Sequence, residues 1–227
     1  MSGLAAVLGD LLPSAIGIAI SPLPIIAAVL MLMSERASRT APAFALGWVV
    51  GLTAVTVIVL VVAGPNGADT GSSSTTASWI KLVLGVLFLG LAYNTWRKRP
   101  RAGAEVEPPK WMRGLDSMKP LAASGLGAAL AAVNPKNLML AVGGAVAIAA
   151  GDLETGATIV CVVVFVLLAS VMVAGPVVAY FVARDAMLHP LEELKSFMQE
   201  HNAAIMMVLL TVLGVSNLGK GLGGLLD

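Results

Sequence analysis

The sequence predicts an all-α integral membrane protein: six transmembrane helices in two inverted three-helix repeats, with spans 1 and 4 broken by proline. Three observations lead there. Of 227 residues, 58% are hydrophobic and only 12% charged, whereas soluble domains carry about 25% charged residues. A chain this short cannot cover so much apolar surface with so few polar side chains. Six apolar runs follow one another, each near the roughly 20 residues a helix needs to cross hydrocarbon. Two of these runs, one in each half, carry prolines near their centres.

The spans fall at 11–33, 41–64, 78–96, 121–150, 157–183 and 202–219. The breaks between them have their own chemistry. "SERASRT" is a short charged turn, and "GPNGADTGSSSTTAS" is a polar loop of turn-forming residues. "RKRPRAGAEVEPPKWMRGLDSMK" is too charged to lie in a membrane, and "GDLET" is a tight acidic turn. The organisation expected is a first three-helix repeat at 1–96, a basic cytoplasmic linker at 97–119, and a second three-helix repeat at 120–227. The N-terminal "MSGLAAVLGD" lacks a basic n-region and does not read as a removed signal peptide.

Lysine and arginine set the orientation. Arg36 and Arg39 follow span one; Arg97, Lys98, Arg99, Arg101, Lys110, Arg113 and Lys119 follow span three; Arg184 and Lys195 follow span five. The opposite loops hold essentially none apart from Lys81 and Lys220 near span ends. The positive side is cytoplasmic, so both termini are expected to be extracytoplasmic and the protein multi-pass in the bacterial inner membrane. Trp79, Trp96 and Trp111 flank spans as interface anchors do. The segment "HPLEELKSFMQEHN" places Leu191, Leu194, Phe197 and Met198 on one helical face, with Pro190 suited to a first turn. It predicts a short interfacial helix near 190–200, or a cytoplasmic extension of span six.

Each half begins with an interrupted span: "ISPLPII" in the first, "VNPKNLM" in the second. An odd number of spans per half inserts the halves in opposite orientations, and paired proline-broken segments point to the binding site of an inverted-repeat transporter. Proline removes an N–H and pushes away the carbonyl four residues back. Pro22, Pro24 and Pro135 are therefore the helix-breaking residues, and the carbonyls they free must face protein or a water-filled cavity. The half-helices beyond the breaks aim partially positive N-termini at the same region.

Lys136 is the one ionisable residue deep in a span. A charge there costs at least about 2.5–3.5 kcal/mol on insertion scales and marks a functional candidate. Two readings stand open: contact with a substrate or ion, or hydrogen bonds to carbonyls released by the prolines. Asn134, Asn137 and Ser21 are the further substrate-binding candidates, the amides being equally suited to capping a broken helix. "SGLGAALAA" is a smooth helical face and "GWVVG" places Gly47 and Gly51 one turn apart. Such patterns allow close packing, within one chain or between two.

Other chemistry is thin. Net charge is +1, which gives no sign of a nucleic-acid partner, and the lone Cys161 cannot pair within the chain. No phosphate loop is present; "GKGLGG" lacks the spacing and reads as a tail. There is no Ser/His pair, paired carboxylate or metal cluster at usable spacing, so neither an enzyme, a bound metal nor a cofactor is expected.

"ISPLP" in span one, "ALGWVVGL" in span two and "NPKN" in span four resemble the LysE superfamily of small inverted-repeat exporters. Length, the single "NPKN" and the long basic linker are most similar to its actinobacterial Gap/Sap branch, the peptidoglycolipid- and sulfolipid-addressing proteins. The resemblance implies movement of cell-envelope glycolipids toward the outer surface, with Pro22, Pro24, Asn134, Pro135 and Lys136 at the transport centre. "SPLP" departs from the Gly-Pro-Gly-Pro form of the superfamily's amino-acid exporters, which argues against an amino-acid substrate. Thiol-electron carriers of the superfamily use two membrane cysteines, and this chain has one. His189 and His201 share no span, as a metal exporter's cluster would.

The expectation is therefore a transporter or exporter of an anionic or polar envelope (glyco)lipid or similar amphiphile, working by alternating access. The alternatives are a membrane scaffold docking an envelope-lipid synthesis or export complex through the basic linker, and an exporter of a small polar metabolite. Membrane lipids, a second copy of the chain and envelope-lipid synthesis machinery are the candidate partners. The coupling ion is open.

Overall fold

The computed structural model describes residues 2–63, 73–99, 114–115 and 117–226. Its elements are helices: α1 (Ser2–Ala19), α2 (Pro22–Leu32), α3 (Ala37–Ala63), α4 (Ser73–Arg97), α5 (Pro120–Ala132), α6 (Pro135–Ala149), α7 (Thr155–Val182), α8 (Arg184–Glu200) and α9 (Asn202–Leu226). Among the described residues, four helices are long and apolar enough to cross a membrane by themselves; the pairs α1–α2 and α5–α6 pass the same test when each is taken together, bent by 51° and 63° at the break, which makes up to six spans. Large apolar side chains such as Val62, Val178, Val182 and Val208 point outward, which is stable only against lipid. The chain is an all-α integral membrane protein. Trp79 and Trp96 are exposed near helix ends; Trp111 and most of the 97–119 linker lie outside the described residues.

The helices run further than the hydropathy pattern indicates. The span-one helix begins at Ser2 rather than near 11, and α3 takes in part of the "SERASRT" turn, where Thr40 Oγ1 donates to Arg36 O. The polar segment before span three is helical from Ser73. The "GKGLGG" segment, expected as a tail, continues α9 to Leu226. Its physical reason is contact: a Cβ on Gly221 would lie 2.8 Å from Leu82 N, and one on Gly224 would overlap the Ser78 hydroxyl. The glycines let the end of α9 lie directly on α4.

The interfacial helix differs too. It starts at Arg184, so Pro190 is interior rather than in the first turn. Pro190 leaves the Ala186 carbonyl without its helical donor, but Ala186 is exposed and water can serve. The apolar face does not rest on lipid alone. Leu191 and Met198 are buried, Leu194 packs beside them, and the helix covers α2; Phe197 faces out and stacks on His201.

Packing relates the halves. The first half-helix of each half lies on the second full span of the other, α5 on α3 and α1 on α7, while the third spans α4 and α9 lie on each other. Exchanging the halves maps these contacts onto themselves, as a two-fold relation requires. The exchange is incomplete: α1 runs along α6, but α2 barely meets α5 and is covered by α8. The α3–α5 seam uses the small residues. A Cβ on Gly47 would overlap the Ser124 carbonyl, one on Gly127 the Phe44 carbonyl, and one on Gly51 would lie 2.8 Å from Ala128 Cα. "GWVVG" and "SGLGAALAA" thus pack against each other within one chain.

The α4–α9 pair is the less embedded part of the molecule. It meets the rest mainly through α6, α1 and α8, and those contacts are sparse beside the contact between the two helices themselves.

Because only backbone opposes a side chain at the α3–α5 seam, Gly127→Ala is expected to cost at least about 2 kcal/mol, the scale of overpacking. Gly90→Ala, with nothing within 4 Å, serves as the neutral control. Thermal unfolding of both variants in one detergent checks this.

Candidate functional site

The two breaks meet. At the first, Ser21 N–H donates to Ile18 O (3.1 Å) instead of reaching back four residues, so the Gly17 carbonyl loses its helical donor. The Lys136 ammonium donates to Gly17 O at 2.7 Å. At the second, α5 closes with Val133 N–H on Ala129 O, and the next carbonyl, Leu130 O, receives the Asn137 side-chain amide at 3.0 Å. The Asn137 Oδ1 in turn accepts from Ser21 Oγ at 3.1 Å. Each break's freed carbonyl is thus capped by a side chain from α6, and two hydrogen bonds join residues 116 and 119 positions apart.

These groups are dry. Ser21 is 2% exposed, Lys136 4% and Asn137 0%. The Lys136 ammonium makes the hydrogen bond to a released carbonyl that one of its two readings expects. Asn134 caps α6, its Oδ1 accepting from Lys136 N–H at 3.2 Å. Pro22 and Pro24 are buried, whereas Pro135 is exposed, so the second break sits at the surface of the bent span rather than behind it.

Beside the breaks lies a cavity of about 410 Å³. Ser21, Pro22 and Leu23 from the first break and Asn134 from the second form one wall. The end of α4 (Asn94, Thr95, Lys98, Arg99) and the start of α9 (Asn202, Ala203, Met206) form the other. Of the expected substrate-binding residues, Ser21 and Asn134 therefore reach the cavity, while Lys136 and Asn137 stand behind its wall. Among the described residues, no carboxylate lines it.

A second space, of about 20 Å³, lies between the same two bodies further along. Asp10, Pro13 and Ser14 of α1 and Gly143 and Ala147 of α6 face Lys81 of α4 and Ser216, Asn217 and Lys220 of α9. Lys220 Nζ pairs with Asp10 Oδ1 at 2.5 Å. Between the two spaces the seam is closed by apolar side chains: a Cβ on Gly17 would meet Leu140, Leu209 and Leu213 within 3.3 Å.

Several of these residues escape a reading of sequence. Lys98 and Arg99 look like orientation charges, Asn94 and Asn202 like ordinary span ends, and Asp10 lies outside the apolar run. Only the pairing of the third spans brings Asn94 and Asn202 together. That pairing is suggested by the repeat but needs the packing to be seen.

The family model of Sap, sulfolipid-1-addressing protein, matches residues 11–223. The chain belongs to this family. The match takes in both proline breaks, the linker and both third spans of this Sap-family protein. No curated protein and no solved structure matches the chain.

Asn137 serves both breaks, so Asn137→Leu strands the Leu130 carbonyl and the Ser21 hydroxyl together. At about 1–3 kcal/mol per unpaired buried group, a loss of roughly 2–6 kcal/mol is expected. Asn134→Ala removes one cap and is expected to cost only about 1 kcal/mol. Unfolding of the two variants side by side gives the comparison.

Proposed function

We propose that this Sap-family protein is a transporter that moves an anionic or polar cell-envelope lipid out of the bacterial inner membrane by alternating access. The observation that supports this most is the single seam between the α4–α9 pair and the α1–α2–α6 wall, which carries both spaces. It is open beside Lys98 and Arg99 and nearly closed beside the Asp10–Lys220 pair. Rocking of α4–α9 against the wall would close the first and open the second. The family's sulfolipid-addressing description supports a lipid cargo.

The basic end of α4 and the start of α3 support a cytoplasmic open side by the positive-inside rule, with both termini and the Asp10–Lys220 pair on the far side in this reading. Lys136 and Asn137 are positioning residues in this reading: they hold the two bent spans as one rigid wall. The head group crosses unchanged, so no covalent step is assigned to any side chain. The acyl tails stay in lipid beside the seam, where outward-facing valines and leucines already require it.

The same physics sets the role of the Asp10–Lys220 pair. Both side chains are about half exposed, so the pair contributes little stability, on the order of 0–1 kcal/mol. A weak, breakable contact suits a gate better than a structural bond.

The test uses Asp10→Cys and Lys220→Cys together with Cys161→Ser, joined by a cleavable thiol cross-linker. The measurement is lipid mass spectrometry of inner and outer envelope fractions. Delivery is expected to stop on cross-linking and return on cleavage. Unchanged delivery by the cross-linked protein would sink the transport reading. A scaffold would ignore the cross-link and fail instead when residues 100–113 are deleted.

A further inference from the structure

We propose that the cavity beside the proline breaks is a binding site for a sulfate or phosphate ester group, with Lys98 and Arg99 as its cationic residues. The inference rests on the transport reading for its purpose but on the cavity for its chemistry.

The α4–α9 wall carries side-chain donors at Asn94, Lys98, Arg99 and Asn202. Arg99 is held in place: its Nη1 donates to Trp96 O at 2.9 Å and its guanidinium lies 5.0 Å over the Trp96 ring. The other guanidinium N–H groups have no hydrogen-bond partner among the described residues. The Lys98 ammonium makes no ion pair among the described residues, and neither Asn94 nor Asn202 has a side-chain hydrogen bond there. Among the described residues, the lining carries two cations and no carboxylate, which makes it net positive. A planar guanidinium and a mobile ammonium are the usual partners of tetrahedral oxyanions. The N-terminal ends of α2 and α6 open on the same space and add partial positive charge.

Size and surroundings narrow the ligand. A cavity of about 410 Å³ lies in the range of small-molecule pockets, about 300–1,000 Å³. It suits an esterified head group and not several acyl chains. Leu23 on one wall and Ala203 and Met206 on the other give it apolar surface, where a glyceride or sugar body can rest. Trp96 is 46% exposed, so Arg99 stands between the outer, interfacial face of α4 and the cavity. An anion carried on a lipid would meet the Arg99–Trp96 pair first.

Sulfate and phosphate esters share this recognition whether they come on a lipid or free in solution, and the experiment separates the two sources. Full-length protein in phosphatidylcholine nanodiscs is titrated with dihexanoyl phosphatidic acid, with the neutral dihexanoylglycerol, and with inorganic sulfate, binding being read by native mass spectrometry. The anionic amphiphile is expected to bind about tenfold or more tighter than the neutral one, a preference lost in Lys98→Gln/Arg99→Gln. Lys98→Arg/Arg99→Lys should keep it, and Arg36→Gln, off the cavity, should not change it. Sulfate binding with the same dependence on Lys98 and Arg99 assigns the site to free anions as well; binding of the amphiphile alone assigns it to lipid. Equal binding of the charged and neutral amphiphiles, or a preference that survives the double Gln variant, overturns the inference. Lipid delivery that persists without any anion preference sinks only this assignment. Anion preference in a protein that delivers no lipid sinks only the transport reading.

Discussion

A helix broken inside a bilayer exposes carbonyls that no water can reach, and this protein breaks two. Each unpaired group would cost several kcal/mol in hydrocarbon. The remedy is reciprocal. The carbonyl freed at the first break is taken by Lys136, and the one freed at the second by Asn137, which also binds Ser21 across the gap. A lysine is a costly residue to place there, but its long stem and ammonium reach a carbonyl on another helix that a shorter side chain could not. The "NPKN" run therefore acts as a clasp: proline breaks the helix, the first asparagine restarts it, and lysine and the second asparagine tie it to the other half.

The clasp organises the rest. The clasp ties α1 to α6, α7 packs on α1, and α3 packs on α5 through a glycine-lined seam, so these helices form one closely packed body. The α4–α9 pair stands against it with fewer contacts, and both spaces lie along that boundary. A fixed wall opposite a less tethered helix pair is a geometry in which small rotations have large effects at the two ends of a seam. Gly85, Gly214 and Gly221 bring α4 and α9 into close contact along their length.

Much of this was legible in the sequence, and the reason differs by feature. Membrane class and the bent spans follow from hydropathy and proline, which act locally. The meeting of the breaks was inferable because a lone lysine beside a proline break needs a partner, although which carbonyl it would find was not. The α3–α5 seam was visible as small residues, with the partner left open. The α9 extension through "GKGLGG" was hidden because glycine reads as a helix end until α4 is seen lying against it. Lys98 and Arg99 were visible only as charges at a span end, since a cavity is a property of packing and not of any one segment. The Asp10–Lys220 pair was hidden for the same reason, its members being 210 residues apart.

The tie between the two halves is measured most directly by a double-mutant cycle of Ser21→Ala and Asn137→Ala on unfolding in a membrane mimetic. Polar contacts between transmembrane helices average about 0.6 kcal/mol in such cycles and reach about 1.7. A coupling of at least about 0.6 kcal/mol is expected if the hydrogen bond joins the broken spans. Losses that simply add, to within about 0.3 kcal/mol, would mean that the two breaks do not hold each other.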